Sequence, residues 1–409
     1  MNFLAKRILI VLMISLLPLS NGLAGYNQPL NLPSSAQPII INSLHETTVF
    51  AESLWARLSV SFITQYEAGD FKNAHETASR SYRFANNYFG ENSVNTADTL
   101  LKLGIVNQSL GNLPSAKKYL INALAVLEKN LSPDDPDIAI TLTNLGNVNF
   151  DLEDYTASEN NHINSLNIRI HAFGHDDSSV AQSTYNLAVL YERTMNYQKA
   201  EDYYRKAIGI WTRNYGPLHP YIGRTLGNLA NTYIAQSKIS DAIRIQQRAV
   251  AFKKSTLGIE HKEVAQALIE LGTLYVGQGQ YDIAGGTYKE ALNIAENLLN
   301  PIDPQLALLM YTLANVYHLQ ARMEEPGDSF ASNEVLSDII AADSEYQTTL
   351  LVRQALPLYE RAAEILDMDH EIENQPALNV VLSELAVLYK SIGENDKATA
   401  TESRINSTH

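Results

Sequence analysis

Cysteine is absent from the 409-residue sequence, and basic residues are scarce. Without cysteine the chain has no disulfide, no thiolate nucleophile and no cysteine ligand for zinc. The 30 lysines and arginines are outnumbered by 45 acidic residues, which gives a formal net charge of −15, and no basic run interrupts this excess. Such a chain repels nucleic acid and anionic lipid. We therefore expect no nucleic acid among its partners.

Long hydrophobic runs are missing outside the N-terminus. There, Lys6 and Arg7 precede an apolar run over residues 8–19, and small residues follow as far as Ala24. This order is typical of a secretory signal peptide, and the run is shorter than the roughly 20 residues that span a membrane. We predict a signal peptide at residues 1–24, no membrane span after its cleavage, and an exported protein that is periplasmic or secreted. An uncleaved membrane anchor is the alternative.

Signatures of catalysis and metal binding are also missing. Three His-Glu pairs begin like a zinc-protease motif, but none has a histidine three residues after the glutamate: His45-Glu46, His75-Glu76 and His370-Glu371. The sequence contains no nucleophile elbow, no Walker phosphate loop and no dinucleotide fingerprint. We predict that the protein is not an enzyme and has no catalytic residue, no metal and no cofactor.

A repeat of 42 residues dominates what is present. Leucine followed by glycine or alanine recurs at this spacing, at Leu103-Gly104, Leu145-Gly146, Leu187-Ala188, Leu229-Ala230, Leu271-Gly272 and Leu313-Ala314. Residues four before and three after the small residue fall on the same helical stripe. A second stripe of small residues begins twelve residues later, at Ala116, Ser158, Ala200, Ala242 and Ala284. Each repeat therefore predicts two helices, A and B.

Turn residues such as Gly111-Asn112 separate the two stripes, which predicts an antiparallel hairpin. Glycine and proline, as in Tyr215-Gly216-Pro217, end each helix B. The small residues let the two backbones approach closely. One hairpin cannot bury both stripes, so neighbouring hairpins must stack.

The small-residue, tyrosine and alanine positions resemble the tetratricopeptide repeat. The 42-residue period and the motifs Asn144-Leu-Gly, Asn186-Leu-Ala and Asn228-Leu-Ala resemble its kinesin-light-chain type. The resemblance covers residues 50–409. It implies an all-α fold, a right-handed superhelical solenoid of about eight antiparallel helical hairpins, whose general use is to bind other proteins.

Two segments depart from the pattern. Phe62 replaces the small residue of the first repeat, which we interpret as an N-terminal cap after an extended leader over residues 25–49. An insertion at about 323–352 contains seven acidic residues and no lysine or arginine. It predicts a solvated loop with at most a short helix, and helix B resumes only at Ala355. A lid or a contact for a specific partner is the alternative.

Helix A is expected to line the concave groove of such an array. Counted from the small residue, positions −2 and +1 carry asparagines: Asn144, Asn186 and Asn228, and Asn147, Asn231 and Asn315. An asparagine amide matches the N–H and C=O of an extended peptide. In the families that this chain resembles the −2 asparagine holds the ligand. The alternative is that it only bonds a neighbouring helix.

Larger side chains on helix A predict pockets and charge selection in the groove. The pocket residues are Phe150, Tyr185, Tyr311 and His318. Arg193 and Arg224 are local cations that would select a carboxylate on the partner, or else pair with Glu192 or nearby acids.

Two functions remain open from the sequence. The first is a non-enzymatic scaffold that binds a protein or peptide segment in the concave groove. The second is a structural adaptor that self-associates through its terminal repeats or its convex face. The oligomeric state is left open by both.

Overall fold

All the regular structure in the described part of the chain is helical. A computed structural model describes residues 45–324, 334–368 and 375–407, which form sixteen α-helices and no strand. In chain order they are α1 (His45–Glu67), α2 (Phe71–Phe89), α3 (Val94–Ser109), α4 (Leu113–Asn130), α5 (Pro136–Asp151), α6 (Tyr155–Phe173), α7 (Ser178–Arg193), α8 (Tyr197–Tyr215), α9 (Pro220–Ala235), α10 (Ile239–Leu257), α11 (Lys262–Gly277), α12 (Tyr281–Leu298), α13 (Pro304–Glu324), α14 (Glu334–Met368), α15 (Gln375–Ser391) and α16 (Asn395–Ser407).

These helices alternate as A and B of the predicted repeats, and sixteen is the number that eight hairpins require. The predicted all-α repeat fold is therefore confirmed. The chain divides into two compact units, which we call the N-terminal unit (Ala24–Thr232) and the C-terminal unit (Tyr233–His409). The N-terminal unit contains the hairpins α1/α2 to α7/α8 and most of α9. The C-terminal unit contains α10 and the hairpins α11/α12 to α15/α16.

Local sequence signals determine where the helices begin and end. Ser93 and Asp177 accept hydrogen bonds from Thr96 N (3.1 Å) and Ser179 N (2.7 Å) and so cap α3 and α7. Helices α6 and α8 end at Gly174 (φ 83°) and Gly216 (φ 80°). Because positive φ costs glycine little, these residues stop helix B as predicted.

Small residues let the helices of each hairpin pack closely. The predicted second stripe is completely buried, since Ala116, Ser158 and Ala200 are each 0% exposed. A β-carbon added to Gly146 would lie 2.7 Å from Cε1 of His162 in the facing helix. Glycine at this position is therefore required by the ring that covers it.

In the first hairpin the large residue lies on helix A and the small residue on helix B, the reverse of the next repeat. Phe62 is 0% exposed and packs with Ala78 of α2, whereas the next repeat has Gly104 covered by Leu120. A large residue on helix A is thus matched by a small one on helix B. Phe62 is compatible with the repeat for this reason.

Each described turn between helices A and B contains a residue with positive φ. Glycine supplies it at Gly69, Gly111 and Gly279, with φ between 73° and 78°. The equivalent residues of the three intervening repeats are Glu153 (φ 61°), Met195 (φ 59°) and Ser237 (φ 58°). A residue with a β-carbon is strained in this conformation by about 1–3 kcal/mol.

We expect Met195→Gly to raise the free energy of unfolding by about 0.5–1 kcal/mol, because relief of strain exceeds the entropy that glycine adds to the unfolded chain. Met195 is 75% exposed, so little packing is lost. Urea unfolding measures the change. Gly111→Ala is the matched control in the opposite direction. A β-carbon there meets no atom within 4 Å, so its effect on stability comes from the positive φ alone. A less stable Met195→Gly chain would contradict the strain argument.

The insertion differs from its prediction. Helix α14 runs without interruption over 35 residues from Glu334 to Met368, and Pro357 lies inside it. The prediction that helix B resumes only at Ala355 is therefore wrong. The alanine that begins the second stripe returns only at Ala355, later than the repeat requires, and this delay suggested a helix start there. The part of the predicted loop at residues 325–333 lies outside the described part of the chain.

The N-terminal predictions lie mostly outside the described residues. The predicted signal peptide at 1–24 and most of the leader at 25–49 precede the first described residue, His45, where α1 begins. Within the described ranges no helix combines the length and the apolar character that a membrane span needs.

Candidate functional site on the helix-A surface

The three asparagines at position −2 are engaged within the protein. Asn144 is 9% exposed, and its Nδ2 donates to the carbonyl of Ile140 in the same helix (2.9 Å). Asn186 is 4% exposed and accepts a hydrogen bond from Gln182 Nε2 (3.0 Å). Nδ2 of Asn228 donates to the hydroxyl of Tyr185 (3.1 Å). A bound peptide would have to displace these bonds before it could use the amides.

The +1 asparagines fall into two classes. Asn147 is half-buried and Asn231 is exposed, and neither makes a hydrogen bond within the described part of the chain. Asn315, in the C-terminal unit, is buried and accepts a hydrogen bond from the Tyr359 hydroxyl (2.6 Å). The N-terminal unit therefore carries two amides on helix A that are open to another molecule.

One of these bonds, from Tyr359 to Asn315, comes from a register of helix B that was not singled out from the sequence. This register, four positions after the first small residue of helix B, contains Leu120, His162, Tyr204, Gln246, Tyr288 and Tyr359, and the last four of these hydrogen-bond polar groups of a helix A. Gln246 Nε2 donates to Glu270 (2.8 Å), and the hydroxyls of Tyr288 and Thr273 are hydrogen-bonded (2.8 Å). The 42-residue spacing of the five residues from Leu120 to Tyr288 was the available signal.

An aromatic cluster surrounds Tyr185 in the N-terminal unit. The Tyr185 ring centroid lies 5.8 Å from those of Tyr204 and Trp211, and Trp211 lies 5.1 Å from Tyr221. Tyr185, Tyr204 and Trp211 are almost completely buried. The guanidinium carbon of Arg224 lies 4.8 Å from the Tyr185 ring and 5.7 Å from the Tyr221 ring. Cation–π attraction favours this position.

Burial and hydrogen bonding shift the titration of the cluster. The Tyr204 hydroxyl donates to the carboxylate of Glu192. Burial raises the pKa of Tyr204, and the nearby Glu192 charge raises it further. Burial also raises the pKa of the Glu192 carboxyl, although the Tyr204 hydrogen bond opposes that effect. The hydrogen bond between the Tyr204 hydroxyl and the Glu192 carboxylate therefore fixes both side chains within the cluster.

The remaining predicted site residues lie away from this cluster. The Arg193 Nε donates to the Tyr155 hydroxyl (3.3 Å), and its guanidinium lies 4.0 Å from Glu153, so it pairs with an acid of the preceding turn. Phe150 packs edge-on against Tyr155 at 5.8 Å. In the C-terminal unit the Tyr311 ring is buried 5.9 Å from Tyr359. His318 is half-buried there.

A family model for the tetratricopeptide repeat matches residues 103–169, 137–211, 179–255 and 263–325, together more than half of the chain. The chain belongs to the tetratricopeptide-repeat family. No curated protein matches it.

The solved structures to which this chain is similar include the following three. A putative kinesin light chain from Podosopora anserina with nearly identical repeats has 20% identity and a TM-score of 0.45, and covers 49% of this chain and 96% of its own. BtubC (BKLC) from P. vanneervenii has 18% identity and a TM-score of 0.45, with 64% and 96% covered. PilF from Pseudomonas aeruginosa has 19% identity and a TM-score of 0.39, with 67% and 99% covered.

The helix-A surface of the N-terminal unit has the open amides of Asn147 and Asn231. Beside them lie the aromatic cluster around Tyr185 and the Arg224 guanidinium that packs against it. Within the described residues, no three histidine, aspartate or glutamate side chains gather in a way that could hold a metal ion. Amides bind a peptide backbone, and a guanidinium binds an oxyanion. This fold is typical of proteins that bind other proteins.

Proposed function

We propose that the protein is a non-enzymatic scaffold that binds a polypeptide segment along the helix-A surface of its N-terminal unit. The observation that carries this proposal is the contrast between bonded and open amides. Asn144, Asn186 and Asn228 bond within the chain, whereas Asn147 and Asn231 have no internal partner in the described residues. An open amide can donate to and accept from a peptide backbone at once.

This proposal moves the expected backbone contacts from position −2 to position +1. Two of the −2 asparagines then have a supporting role, because Asn186 bonds Gln182 and Asn228 bonds Tyr185 beside the surface. Replacing all three would disturb the surface and its support together. Replacing Asn147 and Asn231 removes no internal hydrogen bond of the described residues, so these two asparagines test the binding surface alone.

We also propose that the protein acts after export. The charged start, short apolar run and small residues before position 25 support this proposal. The excess of acidic residues favours a polypeptide partner over nucleic acid.

We expect Asn147→Ala/Asn231→Ala to weaken binding of the captured partner about thirtyfold, since each of the two lost hydrogen bonds contributes on the order of 1 kcal/mol. The partner is first isolated with the wild-type chain and then titrated by calorimetry. Asn122→Ala/Asn160→Ala is the matched control, because both residues are exposed asparagines on helix B. Their replacement should leave the affinity unchanged.

Equal affinities of the wild-type chain and the Asn147/Asn231 variant would contradict the proposal. Loss of affinity in the Asn122/Asn160 variant would move the binding surface to helix B. If the chain captures only further copies of itself, the self-associating adaptor is correct instead.

A further inference from the structure

An open cleft of about 490 Å³ lies on the helix-B side of the N-terminal unit, between α4 and the end of α5. Three apolar and three polar residues line it: Pro114, Ile121, Leu152, Lys117, Lys118 and Asn122. The apolar wall is open to solvent, since Ile121 is 47% exposed and Leu152 is 37% exposed. Apolar walls with a few polar groups, in a volume of this size, are typical of sites for small molecules.

Other repeats show what belongs between a helix B and the helix A that follows it. A tyrosine three positions after the small residue of helix A shares a hydrogen bond with the preceding helix B, in the pairs Tyr191–Glu159 (2.5 Å), Tyr275–Gln247 (2.7 Å) and Tyr389–Glu360 (2.5 Å). The helix-B partners lie one or five positions after the first small residue of that helix. In α4 these two positions are Lys117 and Ile121, and both line the cleft.

The repeat formed by α5 and α6 lacks the rings that would fill this space. Asn149 stands at the tyrosine position, and Asn161 stands where Tyr203 packs against Tyr191 in the next repeat, with ring centroids 5.4 Å apart. Asn149 is 2% exposed, and its Oδ1 has no hydrogen-bond partner among the described residues. The cleft therefore corresponds to the ring site of the other repeats, left open by two asparagines.

The polar rim of the cleft reverses the hydrogen-bond polarity of that ring site. Glu159 accepts a hydrogen bond from the Tyr191 hydroxyl, whereas Lys117 at the equivalent position can only donate. The Lys117 Nζ lies 3.6 Å from Asp154, and Lys118 is exposed and has no acidic partner in the described part of the chain. A ligand that fits here has an aromatic ring, and carries an acceptor or a negative charge where tyrosine carries its hydroxyl.

We propose that the cleft binds a small aromatic anion, whose ring takes the place of the absent tyrosine ring and whose charge lies beside Lys117 and Lys118. Removal of the ring and of the apolar wall from water supplies the affinity. The two ammonium groups favour both an anion and the face of a ring. Because the cleft is on helix B and the proposed peptide surface is on helix A, this ligand is separate from the polypeptide partner.

Three probes separate the contribution of the ring from that of the charge. Phenylacetate carries both, phenylacetamide carries only the ring, and acetate carries only the charge. Binding of each probe to the full chain is titrated by ligand-observed NMR at neutral pH and constant ionic strength. We expect phenylacetate to bind about tenfold more tightly than either of the other two probes.

Two substitutions test the cleft, one by filling it and one by removing part of its apolar wall. Asn149→Tyr introduces the residue of the Tyr191 register, and we expect it to abolish phenylacetate binding. Leu152→Thr copies Thr194 of the next repeat and should weaken phenylacetate about fivefold. Because Leu152 lies at the surface, this second variant keeps the test valid if Asn149→Tyr fails to fold. Lys72→Gln is the control, since Lys72 is an exposed cation on helix B of another hairpin.

Equal affinities for phenylacetate and acetate would show that the lysines attract any anion, and would overturn the proposal. Phenylacetate affinity that is unchanged in Leu152→Thr and in folded Asn149→Tyr, or that falls equally in Lys72→Gln, would overturn it as well. The peptide surface is tested apart from the cleft, because Asn147→Ala/Asn231→Ala should weaken the polypeptide partner and leave phenylacetate binding unchanged.

Discussion

Lys102→Ala is expected to lower the free energy of unfolding of the N-terminal unit by about 3 kcal/mol at pH 7, because it removes one member of a buried ion pair. Lys102 is only 4% exposed, and its Nζ lies 2.5 Å from Asp98 Oδ2 and 2.8 Å from Ser59 Oγ. Burial raises the pKa of Asp98, and Lys102 opposes that rise. Without Lys102 the carboxyl remains buried with no cation beside it.

The next repeat supplies the control for this prediction. At the same two positions it has Ile140 and Asn144, which need no ion pair. The double variant Asp98→Ile/Lys102→Asn should therefore regain most of the stability that Lys102→Ala loses. Urea unfolding at pH 7 compares the three chains. A double variant as unstable as Lys102→Ala would show that the pair itself, and not the orphaned carboxyl, determines the effect.

Acidification from pH 7 to pH 5 is expected to cost about 2 kcal/mol of stability through His162 alone. The His162 side chain is 2% exposed, and its Nδ1 has no hydrogen-bond partner among the described residues. Burial, with a further contribution from the Arg169 charge, lowers its pKa to about 3. The unfolded chain, with an ordinary histidine pKa near 6.5, binds more protons below that pH. The stability contributed by His162 is therefore present above pH 6.5 and is lost as the pH falls towards 3.

A carboxyl group of the same helical pair acts in the opposite direction. Burial, followed by repulsion from Asp135 and Asp98, raises the pKa of Asp137 to about 6. Its protonation favours the folded state as the pH falls below 6. The wild-type pH profile contains both effects, so His162 must be isolated by comparison with a variant.

His162→Leu is that variant, because Leu120 occupies the same register in the preceding repeat. The difference in the free energy of unfolding between wild type and His162→Leu should change by about 2 kcal/mol between pH 7 and pH 5. Urea unfolding at both pH values measures it. A difference that stays constant with pH would mean that His162 is not held neutral in the folded chain.

The sequence predicted the backbone well because the repeat encodes it directly. Spacings of three, four and 42 residues identified the helices, their turns and the small residues at Gly104 and Gly146. The insertion was misjudged because its acidic composition suggested a loop, and the late return of the alanine register at Ala355 suggested a new helix start. Composition and register do not reveal that α14 is continuous from Glu334 to Met368.

Side-chain partners were harder to predict, because the residue at a repeat position does not determine what it touches. Asn144, Asn186 and Asn228 share one position, yet each bonds a different group, since the neighbouring residue is isoleucine, glutamine or tyrosine. The resemblance to a family suggested one ligand role for all three. Which amides remain open depends on these local partners.

Site-specific photo-crosslinking tests the binding surface most directly. A photoreactive amino acid is placed singly at positions 147 and 231 on helix A, and at 122 and 160 on helix B as controls. The account predicts that one and the same partner polypeptide is crosslinked from both 147 and 231, and from neither control position. Crosslinks from 122 or 160, or only to a second copy of this chain, would contradict it.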